Sequence, residues 1–188
     1  MLKGQLCTVR HLVTADLNTF IALANDLPSR GDYFSTHFKS PETMRREFMQ
    51  NGFVTEDSEL FVIEDAQHHV IGVITHFKSR TPVSREIGYR LLEPKLTGRG
   101  YVTEACKLLV DYLFNVHPYH RLELLTAPEN VASVRVAQKC GFQAEGTLRQ
   151  SFFINGRYQD VTVFSLLRPE WEAQRLQMLQ AITGKGGL

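Results

Sequence analysis

The chain is short of cysteine, of excess charge and of long apolar runs, and each shortage excludes a class of protein. Its 188 residues include the cysteines Cys7, Cys106 and Cys140. They lie far apart and form no C-x-x-C pair, so neither a zinc site nor a disulfide framework is predicted. Lysine and arginine total 21 against 20 aspartates and glutamates, which disfavours nucleic acid as the main ligand. Because no segment approaches the roughly 18 apolar residues of a membrane span and no N-terminal run is typical of a signal peptide, we expect a cytoplasmic protein that binds no membrane.

Length and apolar patterning predict a single domain over residues 1–183 and a disordered tail at 184–188. Strands are expected at residues 6–12, 59–64, 70–78, 85–92 and 121–126, followed by two long strands around an Asn-Gly pair at 155–156. Helices are expected after residue 14, over 42–50, after 100, over 130–140 and over 170–182. Strands separated first by turns and then by helices indicate an α+β or mixed α/β domain built on one sheet.

Several residues predict where these elements begin and end. Thr14 and Ser40 are candidate N-caps for the first two helices. Gly141 stands where a helix commonly ends in a left-handed residue. The Asn-Gly pair is a strong hairpin signal, and a two-residue turn there places Phe153 opposite Tyr158 as a cross-strand aromatic pair.

The most informative stretch is the junction between a predicted strand and a long helix, at residues 89–105. Its turn has the pattern Lys95-x-x-Gly98-x-Gly100. Glycines in such a turn let backbone N–H groups approach a ligand, and the helix N-terminus adds partial positive charge, so the junction is typical of a phosphate site. Thr103 stands where a dinucleotide fingerprint needs its third glycine, and no G-x-x-x-x-G-K-[ST] loop occurs. The following helix has its predicted apolar stripe at Ala105, Leu108, Leu109, Tyr112, Leu113 and Val116.

Motifs on both sides make this turn more specific. Upstream the chain reads Arg85-Glu86-Ile87-Gly88-Tyr89, and downstream come Asn130-x-x-Ser133 and Arg149-Gln150. In this order and at these separations, residues 8–168 resemble the Rim-type branch of the GNAT superfamily of N-acetyltransferases. The resemblance implies a mixed, largely antiparallel sheet of about seven strands, splayed in the middle around acetyl-CoA. It also implies direct transfer of the acetyl group to an amine in a ternary complex, with no metal.

By the same resemblance, the glycine turn holds the pyrophosphate of coenzyme A, and the open edge of the preceding strand holds its pantetheine arm. A backbone N–H on that edge is the implied donor to the oxyanion. Asn130 is implied to contact the pantetheine arm, and its alternative role is to cap its helix. The implied cofactor-binding residues are Arg90, Leu91, Leu92, Lys95, Gly98, Arg99, Gly100, Tyr101, Val102, Thr103, Asn130 and Lys139.

Glu86 and Ser133 are the implied catalytic residues. An α-amine titrates near 8, so a modest base acting through water suffices, and Glu86 stands where related acetyltransferases carry a strand glutamate with that role. The alternative for Glu86 is an exposed strand carboxylate, or an ion pair with Arg85 or Arg90. Ser133 matches a serine proposed to protonate the leaving thiolate. Its alternative is to cap its own helix or to bond the cofactor.

The acceptor amine stays open: a protein N-terminus, a small amine, or an aminoacyl or antibiotic-like compound. Where Rim-type enzymes carry a second glutamate, this chain has Phe152, which cannot exchange protons. We therefore expect acceptors with an apolar group beside the amine. The candidate acceptor-binding residues are Tyr33, Phe34, Phe152 and Tyr158, each with core packing as the alternative.

Two further alternatives concern the class of protein and the route of acetyl transfer. A non-catalytic acyl-CoA-binding module would keep the turn and lose the base, and the presence of Glu86 and Ser133 argues against it. Cys106 or Cys140 could in principle carry an acyl group, but their places inside and at the end of helices favour burial as small apolar residues. A monomer or a homodimer is expected.

Overall fold

The computed structural model describes residues 1–34 and 37–183, and its strands form one mixed sheet. Those strands are β1 (Leu2–Lys3), β2 (Cys7–His11), β3 (Ser58–Asp65), β4 (Val70–Lys78), β5 (Ser84–Leu91), β6 (Arg121–Thr126), β7 (Gln143–Ile154) and β8 (Arg157–Leu167). They lie in the order β1-β2-β3-β4-β5-β6-β8-β7. The predicted α+β class and single sheet are confirmed, with β1 as an additional short strand paired to β2. The tail predicted at 184–188 lies outside the described residues.

Helices cover both faces of the sheet. In the described part of the chain they are α1 (Leu17–Ala24), α2 (Pro41–Asn51), α3 (Tyr101–Val116), α4 (Val131–Lys139) and α5 (Arg168–Thr183). Short 3₁₀ turns occur at Thr14–Asp16, Pro28–Tyr33 and Pro94–Leu96. One core lies between α3 and the sheet, and a smaller one joins α1 and α2 to the other face through Val62 and its neighbours.

The sheet opens in its middle, as predicted. Strands β5 and β6 form the parallel pair, and they pair at only three positions, ending with Glu86 opposite Glu123. Beyond that point β5 continues to Leu91 and β6 to Thr126 without pairing to each other. A strand edge without a neighbour exposes N–H and C=O groups that need partners. The opening therefore provides two rows of backbone groups that face each other across a gap.

The buried face of α3 differs from the predicted stripe. Val116 is 60% exposed, whereas Phe114 is fully buried against the ring of Trp171, 5.2 Å away between centroids. The reason is that α5 brings Trp171 onto a side of α3 that a single sheet contact would leave in solvent. The residues of α3 that are buried are Ala105, Cys106, Leu109, Val110, Leu113 and Phe114.

Most of the short-range signals hold. Ser40 caps α2 by accepting a hydrogen bond from the N–H of Thr43 at 3.4 Å. Gly141 follows α4 with a φ of +86°. At the hairpin turn, Asn155 and Gly156 have φ of 53° and 77°, and the rings of the facing residues Phe153 and Tyr158 lie 5.0 Å apart.

Two predicted helix boundaries are wrong. Thr14 does not cap a helix: it opens a 3₁₀ turn in which the carboxylate of Asp16 accepts from the N–H of Val13 at 2.9 Å. This ion-paired aspartate is a better acceptor than the threonine hydroxyl, because Arg10 fixes its position at 2.7 Å. Helix α5 begins at Arg168, so Pro169 lies in its first turn, where proline costs no hydrogen bond.

Glu104 fastens the N-terminal segment to the start of α3. Its carboxylate accepts hydrogen bonds from the N–H groups of Gln5, Leu6 and Cys7, each at 2.8 Å. Burial opposes the charged form, but these bonds outweigh it and lower the pKa of Glu104 below its ordinary 4.5. We expect Glu104→Gln to lower the free energy of unfolding by about 1–3 kcal/mol at pH 7, the cost of leaving backbone donors without an acceptor. Urea unfolding measures this.

The matched control is Glu172→Gln, which neutralises an exposed glutamate on α5 and is expected to change stability by less than about 0.5 kcal/mol. Because the pKa of Glu104 is lowered by folding, its contribution is present above pH 4.5 and is lost as the pH falls further. A difference between wild type and Glu104→Gln that persists unchanged at pH 3 would contradict this account.

Candidate functional site

A cavity of about 1080 Å³ occupies the opening of the sheet. Along one side it is lined by β5 from Glu86 to Leu91, and along the other by the end of β6 and the residues that follow, up to Ala127. The glycine turn closes one end, and the hairpin of β7 and β8 closes the other together with the segment before α2. The cavity is therefore shaped for an elongated ligand that lies between the two strand edges.

The glycine-turn end can accept a phosphate group. Gly98 and Gly100 have φ of 81° and 93°, which side chains rarely adopt. Gly100 is the N-cap of α3 and has no side chain to cap the first turn, so backbone N–H groups and the helix dipole face the cavity there. Arg135 and Lys139 of α4 line the same end and add positive charge. Arg135 was not predicted, because only the fold brings α4 beside the turn.

Most of the predicted cofactor-binding residues lie on this cavity, and a few do not. On it lie Arg90, Leu91, Gly98, Gly100, Tyr101, Val102, Thr103, Asn130 and Lys139. Leu92 is 3% exposed and its N–H donates to the carbonyl of Ile71. Lys95 pairs with Glu93 at 2.8 Å on the surface, outside the cavity. Arg99 is exposed and also lies outside it. The cavity lining on β5 ends at Leu91, one residue earlier than the sequence predicts, and the turn directs these two cations outward.

Glu86 lies where the pairing of β5 and β6 ends, is half-buried, and lines the cavity. Burial, reinforced by the charge of Glu123 and opposed by Arg80, raises its pKa to about 7. Its alternative as an exposed carboxylate does not hold. The arginines named for an ion pair have other contacts: the guanidinium of Arg85 lies 4.5 Å from the ring centroid of Tyr119, and that of Arg90 donates to the carbonyl of Leu23 at 2.6 Å.

Ser133 meets a residue that the sequence did not indicate. Its Oγ lies 2.8 Å from the hydroxyl oxygen of Tyr89, and both residues line the cavity. Burial raises the pKa of Tyr89, so the phenol keeps its proton at neutral pH. The N–H of Ser133 donates to Oδ1 of Asn130 at 3.1 Å, which confirms the capping alternative for Asn130. Alternation along β5 puts Tyr89 and Glu86 on opposite faces, but only the fold shows that Tyr89 reaches α4.

The other end of the cavity is aromatic. Phe152 is 39% exposed and lines the cavity, so it does not belong to the core. Phe153 lines it as well, as do Tyr33 and Phe34 from the segment before α2. Tyr158 does not: it is 68% exposed and packs on Phe153 from outside the cavity. Its place directly opposite Phe153 in the hairpin makes that ring its packing partner, and Phe153 rather than Tyr158 meets the cavity.

The remaining candidates lie away from the cavity. Cys106 and Cys140 are buried, and a hydrogen bond between them together with burial raises the pKa of Cys106, so it is a poor nucleophile. Over residues 1–34 and 37–183 no group of three or more histidines, cysteines or acids could hold a metal ion. No helix among them is long and apolar enough to cross a membrane.

Comparison with known proteins identifies relatives of this arrangement. Residues 7–143 match the family model described as an acetyltransferase (GNAT) domain. The spermidine N(1)-acetyltransferase of Vibrio cholerae is 30% identical over 87% of this chain and 94% of its own length. A probable N-acetyltransferase of Bacillus subtilis, YjcK, is 30% identical over 92% of this chain and 99% of its own. The crystal structure of the Vibrio cholerae spermidine N-acetyltransferase with CoA and spermine superposes with a TM-score of 0.77, at 28% identity over 89% of this chain and 99% of that one.

Proposed function

This chain belongs to the GNAT family of acetyltransferases, and from that premise we propose that it acetylates a primary amine that carries an apolar or aromatic group. The chain is an acetyl-CoA-dependent N-acetyltransferase. The Rim-type branch stays a prediction about its finer place, since the relatives named above include a spermidine N-acetyltransferase. The observation that supports the proposed acceptor is the aromatic wall at the hairpin end of the cavity.

The residues at the other end fit coenzyme A. The first turn of α3, with Gly98 and Gly100 before it, would hold the pyrophosphate, and Arg135 and Lys139 would pair with phosphate charge. The unpaired edge of β5 up to Leu91 would hold the pantetheine amides as a neighbouring strand does. When bound, acetyl-CoA supplies the thioester carbonyl that the amine attacks.

Glu86 and Ser133 divide the proton transfers between them. Glu86, with its pKa near 7, takes a proton from the attacking amine through water at the pH where a base is most useful. Ser133 Oγ gives its proton to the leaving thiolate and regains one from solvent, and the Tyr89 hydroxyl, whose oxygen lies 2.8 Å from Oγ, holds the serine in place. With the cysteines buried elsewhere, transfer is direct, without an acyl-enzyme.

The charged residues that line the cavity favour an amine with an aromatic group over a polyamine. Within the described residues, Glu86 is the one carboxylate that lines the cavity, and Arg30 stands at the aromatic end. A polyamine brings several ammonium groups, and each buried charge needs a partner. An aromatic side group instead gains from contact with Phe34, Phe152 and Phe153. A polyamine is the second candidate, favoured by the spermidine N-acetyltransferase among the relatives.

A panel of amines tests the proposal. Product mass and thiol release are measured with 2-phenylethylamine, peptides with apolar or basic N-termini, and spermidine. We expect the highest kcat/KM for phenylethylamine or an apolar peptide. Preferred acetylation of spermidine would establish the second candidate, and thiol release without an acetylated product for any amine would favour a binding module.

Phe152→Glu is expected to shift acceptor preference. A carboxylate on the cavity wall would attract a second ammonium group, so the ratio of kcat/KM for spermidine to that for phenylethylamine should rise by about tenfold, the scale of one charge pair of about 1.4 kcal/mol. The matched control is Tyr158→Glu, which adds the same charge on the same hairpin outside the cavity and should leave the ratio unchanged. A large loss of thermal stability in Phe152→Glu with an unaltered ratio would remove Phe152 from the acceptor site.

A further inference from the structure

We infer that Glu123 is a positioning residue for the acetyl transfer: its fixed carboxylate, beside Glu86 where the sheet opens, sets the protonation state of Glu86. This inference rests on the proposed role of Glu86 as the base. Glu123 lies outside the cavity lining, so it acts on the reaction only through Glu86.

The register of the sheet brings the two carboxylates together. Glu86 and Glu123 are partners in the last of the three paired positions of β5 and β6. Partners in a parallel pair have their side chains on the same face, on strands about 4.8 Å apart. Glu86 faces the cavity, whereas Glu123 is 5% exposed. One carboxylate is therefore open to the acceptor, and the other is buried beside it.

Hydrogen bonds fix the position of the Glu123 carboxylate. Ser79 Oγ donates to its Oε2, and Arg121 Nε donates to its Oε1 at 2.7 Å. The other nitrogens of Arg121 donate to both carboxylate oxygens of Glu145, at 2.6 and 2.5 Å, and Ser165 Oγ donates to Glu145 at 2.7 Å. One guanidinium thus serves two carboxylates, and the network next to Glu86 keeps a net negative charge.

The charged groups that face Glu86 act in opposite directions. Glu123 on β6 disfavours a second negative charge, and Arg80, in the turn between β4 and β5, favours it. Arg80 also acts on Glu145, whose pKa is lowered to about 2 chiefly by Arg121. For Glu86, burial and Glu123 together exceed the effect of Arg80 and put its pKa near 7. Removing the charge of Glu123 should therefore return Glu86 toward the range of an ordinary carboxylate.

The test is the pH profile of kcat/KM in Glu123→Gln, with the acceptor preferred by the wild type. We expect the acidic limb to move to lower pH by about one unit, so that well below the wild-type midpoint the activity relative to its maximum rises about tenfold. Glu123→Asp keeps the charge and should keep the limb near its wild-type position. Ser165→Ala disturbs the same network without changing any charge and should also leave it in place. The inference is overturned if Glu123→Gln melts at the wild-type temperature and the acidic limb of its pH profile lies at the wild-type pH.

Glu86→Gln separates this inference from the proposed function. If its profile keeps the acidic limb, the proposed base is wrong. If the Glu86→Gln profile loses the acidic limb but Glu123→Gln leaves that limb at its wild-type pH, only the role of Glu123 is wrong. Should Glu123→Gln fail to fold, ¹³C titration of the wild-type side-chain carboxyls decides, with Glu86→Gln used for assignment. We expect the Glu86 resonance of the wild type to titrate near neutral pH; a Glu86 midpoint in the range of an ordinary carboxyl, which leaves no effect of Glu123 to explain, would overturn the inference.

Discussion

Gly100→Asp is expected to abolish binding of acetyl-CoA while leaving the fold largely intact. The added carboxylate would lie at the N-cap of α3, where a phosphate is stabilised by the same N–H groups and helix dipole. Like charges in contact cost several kcal/mol, so affinity should fall by more than roughly 10²-fold. Titration calorimetry with acetyl-CoA measures the loss, and thermal melting checks the fold.

Gly100→Ala is the control that separates charge from backbone strain. Both variants force a side chain onto a φ of +93°, and an added Cβ lies 3.2 Å from Cδ1 of Leu6, so both should lose about 1–3 kcal/mol of stability. Only the aspartate adds a negative charge. Equal affinities in Gly100→Asp and wild type would remove the turn from the cofactor site, and equal losses in the two variants would assign the effect to strain.

Glu86→Gln is expected to lower turnover at pH 7 by roughly 10²-fold or more, the usual scale for losing a general base. The acidic limb of the wild-type pH profile should have its midpoint near pH 7, where Glu86 titrates. The deficit should shrink as the pH rises, because an amine then loses its proton unaided. Initial rates from pH 6 to 10 measure both effects.

Stability distinguishes a catalytic from a structural loss in this variant. Folding raises the pKa of Glu86, so the ionised form weakens the native state above about neutral pH, and the neutral glutamine should not lower the melting temperature there. Glu129→Gln is the matched control, an exposed glutamate just before α4 that should keep wild-type rates. A fully active Glu86→Gln enzyme across the pH range would mean that another group is the base.

The features that have a local signal in the sequence were predicted correctly. The caps Ser40 and Asn130 and the Asn155-Gly156 turn depend on hydrogen bonds and φ angles within a few residues, so their neighbours in the sequence determine them. The opening between β5 and β6 was predicted by a different route, from motifs such as Glu86 to Tyr89 that resemble those of a family with a splayed sheet. The roles of the site residues and the single-domain boundary stay predictions.

The features that depend on distant segments of the chain were not predicted. Val116 is exposed and Phe114 buried because α5, more than fifty residues further on, supplies Trp171. Tyr89 meets Ser133 across 44 positions of sequence. Lys95 was expected to face the cavity, but the orientation of its side chain depends on the path of a turn that no local pattern specifies.

The opening in the sheet also has a mechanical consequence. It divides the sheet into two groups of strands, β1 to β5 and β6 to β8. Backbone pairing joins these groups at only three positions, all between β5 and β6. On the side covered by α3, buried side chains of both groups, such as Ile87 and Leu122, belong to one core, so packing joins the groups where backbone hydrogen bonds do not. A molecule in the cavity touches both groups at once. A bound molecule therefore adds contacts across the opening, where backbone pairing is missing, and raises the free energy of unfolding by mass action.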